Sequence, residues 1–306
     1  MRAGFLILAC ALLLSSDARA APPSPFLPES IAFWDAQHGI ATFGACGHVS
    51  CLGKIETTSN GGRTWLVRRD EPRLGGVYVV RGTRDAWVQT SRGLRYSPDG
   101  GSTWRTLPGT ARLDEFSFPT PRIAYSLSGL EHRIQLRRSA NGGATWRRDR
   151  LPCGRLLNRS AILSFATPRH GWLLCKGQPG TGQQARALYE TRSGGRLWRL
   201  LLRTGIDRAG GLFGSGYPRG MSMLASGDGL LWEDRENSYR TADGGRHWQA
   251  LSTTSPESRE GYSGWVVSPK TSYLLVRDNG TRFDIELMRS DDGRRTWRRV
   301  RSWSRR

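Results

Sequence analysis

Ser97-Pro98-Asp99-Gly100-Gly101-Ser102-Thr103-Trp104 is the stretch that decides the fold. Its parts are those of a tight turn joining two strands. The Asp99 carboxylate can accept hydrogen bonds from nearby backbone N–H groups and tolerates unusual dihedrals. The glycines supply positive φ, Thr103 begins the outgoing strand, and Trp104 brings a large apolar surface to bury. The same pattern, Ser/Thr-x-Asp/Asn-x-Gly-x-Thr-Trp, returns at Thr58 to Trp65, Ser139 to Trp146, Thr191 to Trp198, Thr241 to Trp248 and Ser290 to Trp297. The acid position holds Asn60, Asp99, Asn141, Ser193, Asp243 and Asp292 in turn. Leu197 and His247 replace the threonine in the fourth and fifth copies, and Arg294 replaces a glycine in the sixth. One Gly-rich turn is commonplace, but six in register are not coincidence.

The closing tryptophans, Trp65, Trp104, Trp146, Trp198, Trp248 and Trp297, are spaced by 39, 42, 52, 50 and 49 residues. One four-stranded propeller blade takes about 40–50 residues. Six repeats therefore predict an all-β, six-bladed β-propeller, or seven blades if one has lost its turn. The segment before Trp65 supplies the first blade's inner strands, and the tail after Trp297 the last outer strand. Each tryptophan is expected to bury itself against its own blade. A second recurring unit lies upstream of the turns: Phe33 to Ile40 resembles Phe165 to Trp172, with weaker relatives at Val80 to Trp87, Phe118 to Tyr125 and Val267 to Tyr273. It reads as strand one, a turn, and an aromatic or apolar start to strand two. Blade two shows all four strands, at Val77–Val80, Ala86–Gln89, Gly93–Tyr96 and Trp104–Leu107. The alternation is that of strands, and no helix is expected.

Residues 1–20 read as an export signal: Arg2, an apolar run from Phe5 to Leu14, and an Ala18-Arg19-Ala20 cleavage site. The run is too short to span a bilayer, and no later stretch approaches a membrane span, so residues 21–306 read as one exported propeller domain. Four cysteines remain after Cys10, and an oxidising compartment favours two disulfides. Cys46 and Cys51 sit in one 2→3 loop, and Cys153 and Cys175 in loops flanking one blade, so these pairings are expected. The formal net charge is +20 over 306 residues, and all but Lys54, Lys176 and Lys270 of the 46 basic residues are Arg. Such a charge makes a positive field, for which an exported protein meets acidic glycans, anionic surfaces and acidic proteins; nucleic acid lies in another compartment.

The turns resemble the Asp-boxes of the bacterial neuraminidase repeat superfamily, which includes sialidases, xyloglucanase-type glycosidases, sortilin-type receptors and the photosystem II stability/assembly factor-like propellers. Residues 170–172 with 191–198, and 38–40 with 58–65, most resemble the last group. That resemblance implies an exported, non-catalytic binding propeller. The chain departs from the group in its blade count, usually seven there, and in its arginine excess.

A sialidase needs an Arg cluster for the sugar carboxylate, a Tyr nucleophile activated by Glu, and an acid/base. The Arg-Ile-Pro motif of sialidases is missing from Pro25 to Phe43. The alternative of a sialidase-like glycoside hydrolase or a lectin would need loop acids, of which Asp114, Asp207 and Glu260 are the candidates. The five histidines, at 38, 48, 132, 170 and 247, have no metal-ligand spacing, and no phosphate-binding glycine loop appears, so no cofactor or metal is expected. The box turns read as structural staples. Ligands are expected on the face bearing the 2→3 and 4→1 loops, ringed by Arg73, Arg112, Arg155, Arg208 and Arg259. The 4→1 loops are placed at Arg69 to Gly75, Pro108 to Asp114, Leu151 to Arg159, Arg203 to Gly211 and Thr253 to Ser263, and two 2→3 loops at Gly44 to Gly53 and Cys175 to Arg186.

Overall fold

The computed structural model describes residues 25–46, 51–111, 113–129, 134–204, 216–234, 238–251, 259–278 and 284–304. The expected export signal lies outside these residues. Blade 1 is built from β1 (Leu27–Phe33), β2 (Gly39–Cys46), β3 (Cys51–Thr58) and β4 (Leu66–Pro72). Blade 2 holds β5 (Leu74–Val79), β6 (Ala86–Thr90), β7 (Gly93–Ser97) and β8 (Arg105–Thr106). Blade 3 holds β9 (Phe116–Ser117), β10 (Ala124–Ser128), β11 (Gln135–Ser139) and β12 (Arg147–Asp149). Blade 4 holds β13 (Ser160–Phe165), β14 (Gly171–Pro179), β15 (Gln184–Thr191) and β16 (Arg199–Thr204). Blade 5 holds β17 (Tyr217–Met223), β18 (Gly229–Asp234), β19 (Tyr239–Thr241) and β20 (Gln249–Ala250). Blade 6 holds β21 (Arg259–Val266), β22 (Ser272–Asp278), β23 (Ile285–Ser290) and β24 (Arg298–Trp303). Every sheet is antiparallel with its strands in chain order. The protein is a six-bladed β-propeller. Its one helical turn among the described residues is a 3-10 turn, Arg155–Leu157, and none is long and apolar enough to cross a membrane.

The repeated turns work as their chemistry predicts. In the second, Asp99 Oδ1 accepts the N–H groups of Ser102 and Thr103 at 3.0 and 2.9 Å, and Ser97 Oγ accepts that of Gly101 at 2.8 Å. Gly100 and Gly101 hold φ of 73° and 92°. The first glycine of each turn then donates its N–H to the 1→2 turn of its own blade: Gly61 to Gln37, Gly100 to Arg84, Gly142 to Arg122, Gly194 to Arg169, Gly244 to Gly227 and Gly293 to Lys270. Both sets of turns therefore share one face of the ring. His38 and His170 serve that face through their backbones, their carbonyls accepting the N–H groups of Trp34 and Ala166.

The tryptophans depart from expectation. Rather than burying against its own blade alone, each one plugs the seam with the preceding blade. Trp65 packs with Phe33 and Phe43 of blade 1 and Tyr273 and Leu287 of blade 6; Trp104, Trp146, Trp198, Trp248 and Trp297 repeat this at the other five seams. The second glycine makes room for the approach. A Cβ at Gly62 would lie 2.4 Å from Leu287, and one at Gly245 2.9 Å from Leu188. The hydrophobic core is thus six interblade clusters. Where strand two starts with an aromatic residue, that residue can bond the following blade: Tyr125 Oη donates to Pro168 O at 2.8 Å and Trp172 Nε1 to Gly244 O at 2.8 Å.

Five of the seven loop assignments are corrected. Residues 44–46 belong to β2, 51–53 to β3, 203 and 204 to β16, and 259–263 to β21. The polar run Arg68 to Pro72 continues as strand, with Asp70 opposite Lys54 and Glu71 opposite Gly53. An outermost strand has water beside it and tolerates polar residues. Only Arg73, at φ 47°, links blades 1 and 2. Cys175 likewise lies inside β14 and is fully buried, because the β14–β15 hairpin runs on to Pro179 and Gln184. The expected disulfides Cys46–Cys51 and Cys153–Cys175 are both formed.

The ring closes without strand exchange, since blade 6 is wholly C-terminal and blade 1 wholly N-terminal. Side chains make the joint. Trp265 Nε1 donates to Phe33 O at 2.8 Å, Tyr262 Oη to Pro28 O at 2.6 Å, and Tyr273 Oη to Ala36 O at 2.8 Å, while the Phe33 and Tyr273 rings stack at 3.6 Å.

Candidate functional site

The six innermost strands, β1, β5, β9, β13, β17 and β21, surround an axial cavity of about 360 Å³. Serines knit its wall. Ser30, Ser117, Ser164, Ser222 and Ser263 each accept, through Oγ, a backbone N–H of the next blade, from Val77, Phe165, Met223, Val266 and Ile31 respectively. Between blades 2 and 3 the link is aromatic, Tyr78 packing edge-on against Phe116 with centroids 5.5 Å apart.

Each innermost strand runs from the 4→1 loops toward the 1→2 turns, so its first residues lie near the loop face and its last near the turn face. On the turn side Arg81 reaches from blade 2 across the axis. Its Nε donates to Val266 O at 2.7 Å, its Nη2 to Ser222 Oγ at 3.0 Å, and its guanidinium lies 4.5 Å from the centre of the Trp265 ring. It forms the floor of the cavity. Burial alone lowers it, to about 10.

Toward the loop face, Glu29 of blade 1 and Glu115 of blade 3 line the wall. Loss of water pushes the Glu115 carboxyl up to about 7, with Asp114 adding to the rise and Lys176 opposing it. Burial also raises Glu29, whose carboxylate fills the space left by the absent side chain of Gly44. Across the cavity Arg219 pairs with Asp234, and Lys176 Nζ donates to Pro218 O at 2.8 Å, joining blade 4 to blade 5. Burial lowers Lys176 to about 8. Tyr78 and Tyr262, also in the wall, are held well above the ordinary phenol value by burial.

Of the arginines expected to ring the loop face, Arg73 links β4 to β5 and Arg155 lies in the 3-10 turn before blade 4, both exposed. Arg112 and Arg208, and the side chain of Arg259, lie outside the described residues. Neither Arg73 nor Arg155 lines the cavity. Among the candidate acids, Asp114 is exposed, Asp207 lies outside the described residues, and Glu260 is buried with Arg277 at 3.3 Å. Sequence reasoning passed over Glu29, Arg81, Glu115, Lys176 and Arg219. A usable signal was present in Glu29, Asp114-Glu115 and Arg219, charges at or beside the start of an otherwise uncharged innermost strand.

These features define the class: a propeller with a small polar cavity on its axis, crossed on the turn side by Arg81. No protein-family model matches the chain, and no curated protein sequence matches it significantly. Among solved structures it is similar to one titled YCF48 bound to D1 peptide, at 15% identity and TM-score 0.51, covering 92% of this chain and 85% of that one. It is similar also to YCF48 from Cyanidioschyzon merolae, at 17% identity and TM-score 0.50, covering 91% and 86%. A GH74 xyloglucanase from Xanthomonas campestris aligns at 15% identity and TM-score 0.51, over 89% of this chain but 60% of that enzyme. At these identities the likeness is one of fold.

Proposed function

We propose that the chain is an exported, non-enzymatic binding propeller that docks a protein partner on its loop face, with a segment of the partner entering the axial cavity. The observation that carries this reading is the cavity itself: ringed by the six innermost strands, floored by Arg81, and walled by backbone, serines, aromatics and a few charges. A peptide-sized opening of a few hundred Å³ suits one or two side chains. Likeness to a propeller whose solved structure is titled as bound to a peptide supports the reading. The disulfides support export, and exposed Arg73 and Arg155 would speed encounter with an acidic partner or an anionic surface.

A specific feature favours a second reading, a glycoside hydrolase: a carboxyl held near 7, such as Glu115, has the pKa of a general acid. One set of assays separates the two. A display library of random peptides is panned on the mature protein, and fluorogenic sialosides and β-glucosides are offered in parallel with an array of acidic and neutral glycans. Micromolar peptide ligands competing with one another, without turnover, support the binding propeller. Turnover lost in Glu115→Gln establishes the hydrolase instead, and salt-sensitive retention on many anionic glycans with no peptide ligand favours an anionic surface as the partner.

A further inference from the structure

The two glutamates of the cavity lack the cation that every fully buried glutamate of the described residues has. Lys and Arg outnumber Asp and Glu 46 to 26, so cations are in surplus, and the fully buried glutamates each have one, whereas half-buried Glu115 and the more exposed Glu29 do not. Glu71 pairs with Arg69 and Arg95, Glu190 with Arg192 and Arg199, Glu233 with Arg186, Glu260 with Arg277 and Glu286 with Arg299. Among the described residues Glu29 and Glu115 have neither an ion pair nor a hydrogen bond to the carboxylate. The nearest ammonium, that of Lys176, is turned to Pro218 O. Desolvating a carboxylate without a partner is costly, and a chain this rich in arginine could supply one by a single substitution.

The lower half of the same cavity shows what such a space accepts. Arg81 is held there by a carbonyl, a hydroxyl and an aromatic face, with no counter-ion. The upper half offers a guanidinium or ammonium more: two carboxylates and the rings of Tyr78, Phe116 and Tyr262. Aromatic faces and desolvated carboxylates together are the surroundings in which cations bind best.

We propose that the axial cavity receives a cationic group on an extended stem, a guanidinium or primary ammonium, with Glu115 as its main carboxylate and Glu29 as the second. This rests on the reading of the cavity as the partner's binding site and names the chemistry that enters it. The shared chemistry has two sources, an Arg or Lys side chain of a partner protein and a free amine.

The test uses the mature protein with four probes: N-acetyl-arginine methylamide, its lysine counterpart, the neutral isostere N-acetyl-citrulline methylamide, and putrescine. Affinities are measured by NMR titration for the wild type, Glu115→Gln, Glu29→Gln and, as a control on the outer surface, Asp70→Asn. Both cavity variants remove a charge that has no ion pair and are expected to fold, which thermal melts check. The expected result is binding of the arginine or lysine probe and not of citrulline, at least tenfold weaker in Glu115→Gln, several-fold weaker in Glu29→Gln, and unchanged in Asp70→Asn. Binding of the blocked amino acids but not putrescine assigns the site to a partner's side chain, and the reverse to a free amine. Citrulline binding as well as arginine, or an unchanged affinity in Glu115→Gln, overturns the cation site while leaving a cavity that binds peptides. If the selected peptides also bind away from the cavity, unaffected by either variant, the proposed location of the partner falls with it.

Discussion

Restoring the missing glycine of the sixth turn, Arg294→Gly, will destabilise the protein even though it repairs the motif. Arg294 occupies the second-glycine position at φ 68°, where a side chain costs about 1–2 kcal/mol. Glycine removes that strain but loosens the unfolded chain, returning roughly 0.5–1 kcal/mol. Against this small gain stands what the side chain does. It is 2% exposed, and its Nη2 meets Asp228 Oδ1 at 2.7 Å on the 1→2 turn of blade 5, while Nη1 reaches Ser272 Oγ at 3.2 Å. The preceding blade, which elsewhere approaches the bare glycine, is here tied by a strut. Charged hydrogen bonds of this kind contribute roughly 1.5–3 kcal/mol each, and removing one partner of a buried pair costs about 3–5 kcal/mol. The Asp228 side chain is 17% exposed and accepts a further bond from Ser226 Oγ, so the lower part of that range applies. The net expectation is a loss of about 1–3 kcal/mol, a fall of several degrees in Tm. Differential scanning calorimetry of Arg294→Gly, Asp228→Asn and the double variant checks it, the double being less impaired than the sum. A Tm equal to or above wild type for Arg294→Gly would refute the reasoning.

Acid should act through the turn carboxylates. Hydrogen bonds hold Asp99 and Asp243 at about 2 and depress Asp292 further; with folded values below the unfolded one, their stabilisation is full above about pH 4 and is lost as pH falls toward 2, so replacing all three by Asn should flatten the acid limb of a Tm–pH profile. Glu115 has the opposite sign. Its folded value of about 7 lies above the unfolded one, so stability drops as pH rises from about 4.5 to 7, and Glu115→Gln should raise Tm at pH 8 but not at pH 4. Cys153→Ser with Cys175→Ser opens a bridge of sequence separation 22 and should cost about 3 kcal/mol, against about 2 for the Cys46–Cys51 pair, in urea unfolding. Tyr125→Phe removes a hydroxyl that bonds Pro168 O and Gly194 O across the blade 3–4 seam, for an expected loss of about 1 kcal/mol.

What could be read from the sequence is local in its physics. The turn from Ser97 to Trp104 is held by its own residues, so its spelling announces its shape, and six spellings count the blades. The disulfides were legible because each joins segments next to the same blade. The axial site was not, because no segment contains it. Arg81 acquires its partners only when Ser222 and Val266 arrive from blades 5 and 6, and Glu115 is an unremarkable acid until ring closure dries its surroundings. The departures from the motif mislead in the same way. Arg294 stands in the sequence as a departure from glycine and is a strut; Leu197, in place of the threonine, stands 72% exposed, which nothing in the structure explains. Arg69 to Gly75 reads as loop, yet all of it but Arg73 is strand, because polarity is a poor guide on a strand that has water on its outer side.

The manner in which the ring closes has a bearing on how the chain can be rearranged. Because every blade is an unbroken stretch of sequence, the joint between blades 6 and 1 differs from the other five only in lacking a connecting peptide. The place where the chain begins is then exchangeable. Joining the two ends and cutting at Arg73, the single residue between blades 1 and 2, yields a permuted chain whose six sheets are all intact. A blade could equally be copied or deleted as one contiguous segment without leaving an orphan strand. The ring would meet such a change at one seam only, where aromatic stacking and a few carbonyl-directed hydrogen bonds would have to find a new register.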